Sequence, residues 1–230
     1  MKALLYKEFK LAMHPMCYIF IALFPFMILV PPSHYPIGIG FIYVLSCYPV
    51  LFLGANKGQQ SNDLLYSTLL PVRKKDIVLA RILTVAIMQF AFIAIMSALL
   101  PIAYTFIPYI EEQVKEGSTE ALKFGLNGYT SLLAIALVGY SIADLIFFPI
   151  YYKNGKSIVL STLMTILGFV FYYFFFVVGL PFMSQGFCDY VCNGPIWFQL
   201  TLLGSSLLLY VVIRFAVYRI SSKRLENVDF

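Results

Sequence analysis

Apolar side chains form long blocks along this chain, and shorter polar segments separate the blocks. Six blocks approach or exceed the length of a membrane-spanning helix, which needs about 20 apolar residues to cross a hydrocarbon core of roughly 30 Å. We therefore predict an all-α, polytopic membrane protein with six transmembrane helices in a single domain, residues 1–230. The predicted spans are residues 16–33, 36–54, 82–107, 127–149, 157–181 and 195–217.

Composition supports this class. Apolar residues make up 61% of the chain and charged residues 12%, whereas soluble domains are about 25% charged. A separate soluble domain is not expected, because the longest polar insert is short and covers residues 109–125.

Residues 1–15 precede the first block and lack a small-x-small cleavage site after it, which argues against a cleavable signal peptide. We favour an interfacial amphipathic helix that Pro15 ends. A plain charged tail before a signal anchor is the alternative. At 100° per residue the apolar side holds Leu5, Phe9, Ala12, Met13 and Met16, and the opposite side holds Lys7, Lys10 and His14.

Lysine and arginine are distributed unevenly between the two sides of the predicted membrane. Fourteen of the sixteen, including Arg81 and Arg214, fall on the side of the two termini, and only Lys115 and Lys123 fall on the other. Cytoplasmic segments collect these residues. We expect both termini and the loop of residues 55–76 in the cytoplasm, and the insert of residues 109–125 outside. The net charge of +5 then reflects topology and contact with anionic lipid, and it requires no nucleic-acid partner.

One cytoplasmic segment, residues 63–81, differs from the blocks around it, and we call it the platform. Asp63 suits the start of a short helix, Leu and Thr side chains give that helix an apolar face, and Pro71 ends it. The cluster Arg73-Lys74-Lys75 then suits lipid headgroups. The platform either receives a cytoplasmic partner or simply joins the second and third spans.

Motifs for catalysis are not evident. The string Asn154-Gly155-Lys156-Ser157 contains Gly-Lys-Ser, but a phosphate-binding loop also needs glycine at position 150, which is Ile150. We expect no ATP site, no metal site, no cofactor and no enzymatic activity in this chain.

Asp144 is the one acidic residue clearly inside a predicted span. A carboxylate there costs about 2.5–3.5 kcal/mol on insertion and needs a polar environment. It is either a substrate-pathway or proton-relay group, or a buried hydrogen-bonding residue beside Tyr140 and Ser141. Because no companion charge is evident, we favour the second interpretation.

Two cysteines, Cys188 and Cys192, fall in the last predicted outward loop. A disulfide between them and a pair of free thiols are equally compatible with the sequence.

Three segments resemble the permease subunits of the ABC-2 type transporter superfamily. The first is Lys7-Glu8-Phe9-Lys10, before the first span. The second is residues 69–81, with Leu-Pro-Val, basic residues and then Ile-Val-x-x-Arg. The third is the proline-to-glycine turn of residues 148–155.

The resemblance implies a permease that pairs with itself or with a sibling permease and binds two copies of a separate ATPase, which carries ATP and Mg. It also implies that residues 63–70 form the coupling helix that receives the motion of the ATPase. The implied coupling residues are Asp63, Leu64, Leu65, Tyr66, Thr68, Leu69, Leu70, Pro71, Arg73, Lys74 and Lys75.

Compact permeases of this type resemble exporters of amphipathic peptides, including phenol-soluble modulins. We accordingly expect a multi-pass protein of a bacterial plasma membrane that exports an amphipathic peptide or another hydrophobic substrate. The alternative is a non-transporting membrane component with an immunity, sensor or assembly role.

Overall fold

The computed structural model describes residues 2–12, 15–23, 25–26, 71–114, 128–154, 158–175, 186–187, 190–191 and 194–227. Within these ranges the ordered elements are helical and no strand is present. A π-helical turn, Glu8–Ala12, separates the first two helices. The helices are α1 (Lys2–Lys7), α2 (Pro15–Leu23), α3 (Lys74–Val114), α4 (Gly128–Asn154), α5 (Ile158–Phe174) and α6 (Ile196–Glu226).

Three of these helices contain a stretch long and apolar enough to cross a membrane. The stretches are Lys74–Leu99, Leu133–Lys153 and Ile196–Glu226, and a shorter apolar stretch covers Val159–Tyr172. The all-α prediction is confirmed for the described residues, and these stretches overlap the third, fourth and sixth predicted spans. The predicted span 36–54 lies outside the described residues. The six-span count and the orientation of the termini stay predictions.

Helix α3 is longer than the span predicted for residues 82–107. It has 41 residues, which corresponds to about 60 Å and is twice the thickness of a hydrocarbon core. It begins directly after the exposed residues Pro71, Val72 and Arg73, and Asp76 in its first turn suits the positive end of the helix. The platform's last eight residues are therefore the first turns of α3, and not a loop.

Helix α4 is the central element. It packs along α6 on one side and against α5 on another, and α6 also contacts α3. In the apolar windows, 61% of α4 is buried but only 17% of α6. α1, the π-helical turn and α2 all pack against α3, so the N-terminal segment rests on the same helix that the platform enters.

Helix α6 exposes apolar side chains and buries mostly polar ones, the reverse of a helix in a soluble protein. Large apolar residues such as Leu208 and Phe215 point outward, as expected for a surface that meets hydrocarbon. Trp197 is exposed near one end, and Arg219 and Lys223 are exposed near the other, a distribution typical of a helix that ends at two membrane interfaces. The inward face is mostly polar and holds Gln199, Ser206, Tyr210, Arg214, Val217, Ser221, Ser222 and Leu225.

Candidate functional site

A buried ion pair joins α4 to α6. The Nη2 atom of Arg214 lies 2.6 Å from Oδ2 of Asp144, and both side chains are almost fully enclosed by the protein. The Nη1 atom of Arg214 donates a hydrogen bond of 2.6 Å to the backbone carbonyl of Ile82 in α3. One guanidinium group thus bridges three helices.

Two neutral side chains complete this group, and we call the four residues Gln89, Asp144, Tyr210 and Arg214 the Asp144 cluster. The Oε1 atom of Gln89 accepts hydrogen bonds of 2.6 Å from the Tyr210 hydroxyl and from Nη2 of Arg214. Its Nε2 atom donates to Oδ1 of Asp144 at 3.3 Å. The guanidinium carbon also lies 4.6 Å from the centre of the Tyr210 ring, within range of a cation–π contact.

The cluster corrects one of our sequence interpretations, because Asp144 does have a companion charge. That charge is Arg214, which lies within the predicted span of residues 195–217 and which the charge count places with the cations on the side of the termini. In the structure Arg214 lies twelve residues before the end of α6. The bias of positive charge towards the side of the termini persists without it.

A second buried ion pair joins the N-terminal segment to α3. Nε and Nη2 of Arg81 donate hydrogen bonds of 3.0 and 3.3 Å to the two carboxylate oxygens of Glu8. Its Nη1 atom donates to the hydroxyl of Tyr151 in α4 at 3.1 Å. We call Glu8, Arg81 and Tyr151 the Arg81 cluster. Arg81 precedes Gln89 by eight residues, so the two clusters are separated by about 12 Å along α3.

Further polar contacts surround the Arg81 cluster at the same end of the helices. Nη1 of Arg224 in α6 donates a 2.5 Å hydrogen bond to the carbonyl of Pro149 in α4. Lys75 and Glu226 form an exposed ion pair of 3.2 Å between the start of α3 and the end of α6. The helices α3, α4 and α6 are therefore joined by polar contacts at two levels.

The sequence model of a family described as ABC-2 family transporter protein matches residues 3–223 of the chain. The chain belongs to the ABC-2 transporter family. Comparisons with curated proteins and with solved structures gave no significant match.

Membership in the ABC-2 family establishes the coarse assignment. The chain is a membrane component of a transporter, it is not itself the catalytic subunit, and such components work with an ABC ATPase. Together with the apolar helices, this indicates a multi-pass membrane protein. The match does not establish the narrower resemblance to exporters of phenol-soluble modulins.

The implied coupling residues of this ABC-2 protein are described only in part. Pro71, Arg73 and Lys75 are exposed and Lys74 is half-buried. Arg73 pairs with Asp76 at 3.3 Å, both at the surface, where such a pair contributes little to stability. Outside the described residues lie Asp63, Leu64, Leu65, Tyr66, Thr68, Leu69, Leu70, Cys188 and Cys192, so neither the coupling helix nor the disulfide is tested.

The N-terminal segment differs in detail from the predicted amphipathic helix. It is divided into α1 and the π-helical turn, and its buried residues are Leu4 and Glu8, while Leu5 and Phe9 are half-buried. The sequence places Glu8 between Lys7 and Lys10, in the segment that resembles ABC-2 permeases, and does not predict that its side chain is buried.

Sequence reasoning about this ABC-2 protein also missed Arg81, Gln89, Tyr151 and Tyr210 as members of polar clusters. The available signal was spacing. Tyr210 and Arg214 are four residues apart and so share a helix face, and Gln89 is a polar residue within an apolar block. In the described segments no group of three or more His, Cys, Asp or Glu side chains is placed to hold a metal ion.

Proposed function

We propose that this chain is the permease subunit of an ATP-driven exporter that moves an amphipathic peptide out of the cell. ATP hydrolysis is performed by a separate ATPase, which docks on residues 63–70. Two permease chains and two ATPase copies form the complete exporter in the plasma membrane, with both permease termini in the cytoplasm.

The family match over residues 3–223 is the observation that carries this proposal. The course of α3 supports the coupling step. The helix starts at Lys74, four residues after the proposed coupling helix, and continues to Gln89 in the Asp144 cluster and beyond. Because residues 63–70 come shortly before this helix in the chain, we expect a push on them to be transmitted along α3 to the buried core.

The proposed substrate class rests on the surface of α5. Val159, Leu167 and Phe171 are among its most exposed side chains, with more than 60% of each accessible. An apolar helix face of this kind suits the apolar side of an amphipathic helix that arrives from the membrane. Lipid chains fit the same surface, so the substrate requires a direct test.

The test first asks whether the open reading frame beside this one encodes an ABC ATPase. The permease is then purified together with that candidate ATPase and reconstituted in lipid vesicles. We expect stoichiometric co-purification, and ATP hydrolysis and peptide efflux that rise with an amphipathic helical peptide. A peptide of the same composition with a scrambled order has no apolar face and serves as the control. Equal responses to both peptides would reject the substrate class. Absence of an ATPase partner would favour a non-transporting immunity, sensor or assembly component.

The coupling assignment is tested separately. Changing Leu64 and Leu65 together to Asp places two charges on the docking face, and we expect loss of peptide-stimulated hydrolysis while the permease still folds. The matched control changes both to Met and keeps the face apolar. Normal stimulation in the Asp variant would place the ATPase contact elsewhere.

A further inference from the structure

A buried ion pair with two hydrogen bonds, between Glu8 and Arg81, attaches the N-terminal segment to α3. Glu8 and Arg81 are each less than 5% exposed, and the two carboxylate oxygens face two different guanidinium nitrogens. A two-point contact of this kind fixes orientation as well as distance. Separating the groups would leave two buried charges without their principal partner, which is far more costly than breaking a surface pair.

The position of this contact along α3 is informative. Arg81 follows Lys74, the first residue of α3, by seven positions, or about 10 Å of helix rise. In chain order Arg81 lies between residues 63–70, where we propose that the ATPase docks, and Gln89 of the Asp144 cluster. Motion that enters α3 at its start must therefore pass the attachment point of the N-terminal segment before it reaches the core.

The third member of the Arg81 cluster extends the attachment to α4. The hydroxyl of Tyr151 accepts a hydrogen bond of 3.1 Å from Nη1, the third guanidinium nitrogen. Tyr151 is buried, and its ring is stacked on Phe147 at 5.8 Å between ring centres. The end of α4 is thus held against the same side chain that holds Glu8.

We propose that Arg81 is a positioning residue that makes the N-terminal segment, the first turns of α3 and the end of α4 one moving unit. A displacement of residues 63–70 by the ATPase then carries the N-terminal segment with it, and the segment does not act as a passive membrane anchor. This inference rests on the proposed function.

Three variants separate charge, geometry and attachment. Glu8→Gln removes one charge of the pair. Arg81→Lys keeps the positive charge but loses the two-point contact. Because it perturbs the site less, coupling can still be measured in this variant if Glu8→Gln folds poorly. In both, we expect the ATPase to co-purify and the amount of peptide exported per ATP hydrolysed to fall by about fivefold or more, a range typical of coupling between sites. The exchanged pair Glu8→Arg with Arg81→Glu restores opposite charges and should recover part of the coupling.

A distance measurement distinguishes positioning from a general loss of stability. Spin labels are placed at Tyr6→Cys and Leu83→Cys in a background without native cysteines. Tyr6 is 62% exposed and Leu83 is 36% exposed, so both sites accept a label near the Arg81 cluster. In the parent protein the distance between the labels should be the same without nucleotide and with the ATPase trapped by vanadate. In Glu8→Gln it should be the same without nucleotide but shift or broaden after trapping.

The outcomes are separable. A change of the label distance on trapping in the parent protein would overturn the inference, and so would an unchanged distance with full coupling in both single variants. Either result leaves the proposed function intact if the ATPase co-purifies and transport proceeds. If the parent permease recruits no ATPase, the proposed function fails and the inference fails with it.

Discussion

Removal of the Arg214 charge should destabilise the protein more than removal of both charges of the pair. Arg214→Met keeps the length of the side chain but removes the contacts of 2.6 Å to Asp144, Gln89 and the Ile82 carbonyl. It leaves the Asp144 carboxylate buried with Gln89 as its remaining hydrogen-bond donor in the cluster. Breaking a buried pair from one side costs about 3–5 kcal/mol, and we expect a loss in that range.

The double variant Arg214→Met with Asp144→Leu removes the uncompensated charge. Apolar replacement of a buried pair is often close to neutral, and the hydrogen bond between Tyr210 and Gln89 persists. Nε2 of Gln89 then loses its acceptor within the cluster, which costs about 1–3 kcal/mol. The double variant should therefore be more stable than Arg214→Met alone, although it carries one more substitution.

The assay is reversible unfolding in mixed micelles, followed by the fluorescence of Trp197, the single tryptophan of the chain. Leu208→Met on the outward face of α6 serves as the control and should change the free energy of unfolding by less than about 0.5 kcal/mol. The losses of unfolding free energy in Arg214→Met alone and in Asp144→Leu alone are also measured. If the loss in the double variant equals their sum within about 0.5 kcal/mol, the two charges act independently and the reasoning is refuted.

Three smaller perturbations address other contacts, each by the same unfolding measurement. Tyr210→Phe keeps the ring beside Arg214 but removes the 2.6 Å hydrogen bond to Gln89, and should cost about 0.5–1.5 kcal/mol; no loss would mean that the hydroxyl is dispensable. Gly139→Ala places a methyl group 2.9 Å from a ring carbon of Phe169 and should destabilise the protein by about 1–3 kcal/mol. The control, Gly204→Ala, meets nothing within 4 Å and should not destabilise it. Equal effects of the two variants would show that Gly139 does not set the α4–α5 contact. Gln199→Leu removes the Nε2 group that donates to the backbone carbonyls of Tyr190 and Val191 at 3.2 and 2.8 Å, and should destabilise the protein by about 1–3 kcal/mol. A stability equal to that of the parent would show that water satisfies these carbonyls instead.

The sequence predicted the helical class and the placement of three long spans, because a helix that crosses hydrocarbon must be apolar over its whole length. It did not predict where those helices end. Lys74 and Glu226 are good helix formers on either side of the apolar blocks, and a count of apolar residues gives no signal for them.

The polar clusters were predictable only in part. Asp144 was identified because a lone carboxylate in an apolar block is conspicuous, but its partner lies 70 residues away in sequence. Helix packing decides which polar residues meet, and a single sequence does not contain that pairing. Glu8 and Arg81 illustrate the same limit, since each is unremarkable among the neighbouring charges of its own segment.

The polar inward face of α6 restricts the movements that this helix can make. Rotation by one residue position, 100° about its axis, would turn Arg214 away from this face and bring an apolar neighbour, Ile213 or Phe215, opposite Asp144. Translation by one turn would separate the same groups. α6 can therefore shift only together with α3 and α4, as a block whose internal register is fixed by charge. A transport cycle in this protein must open along surfaces outside that block.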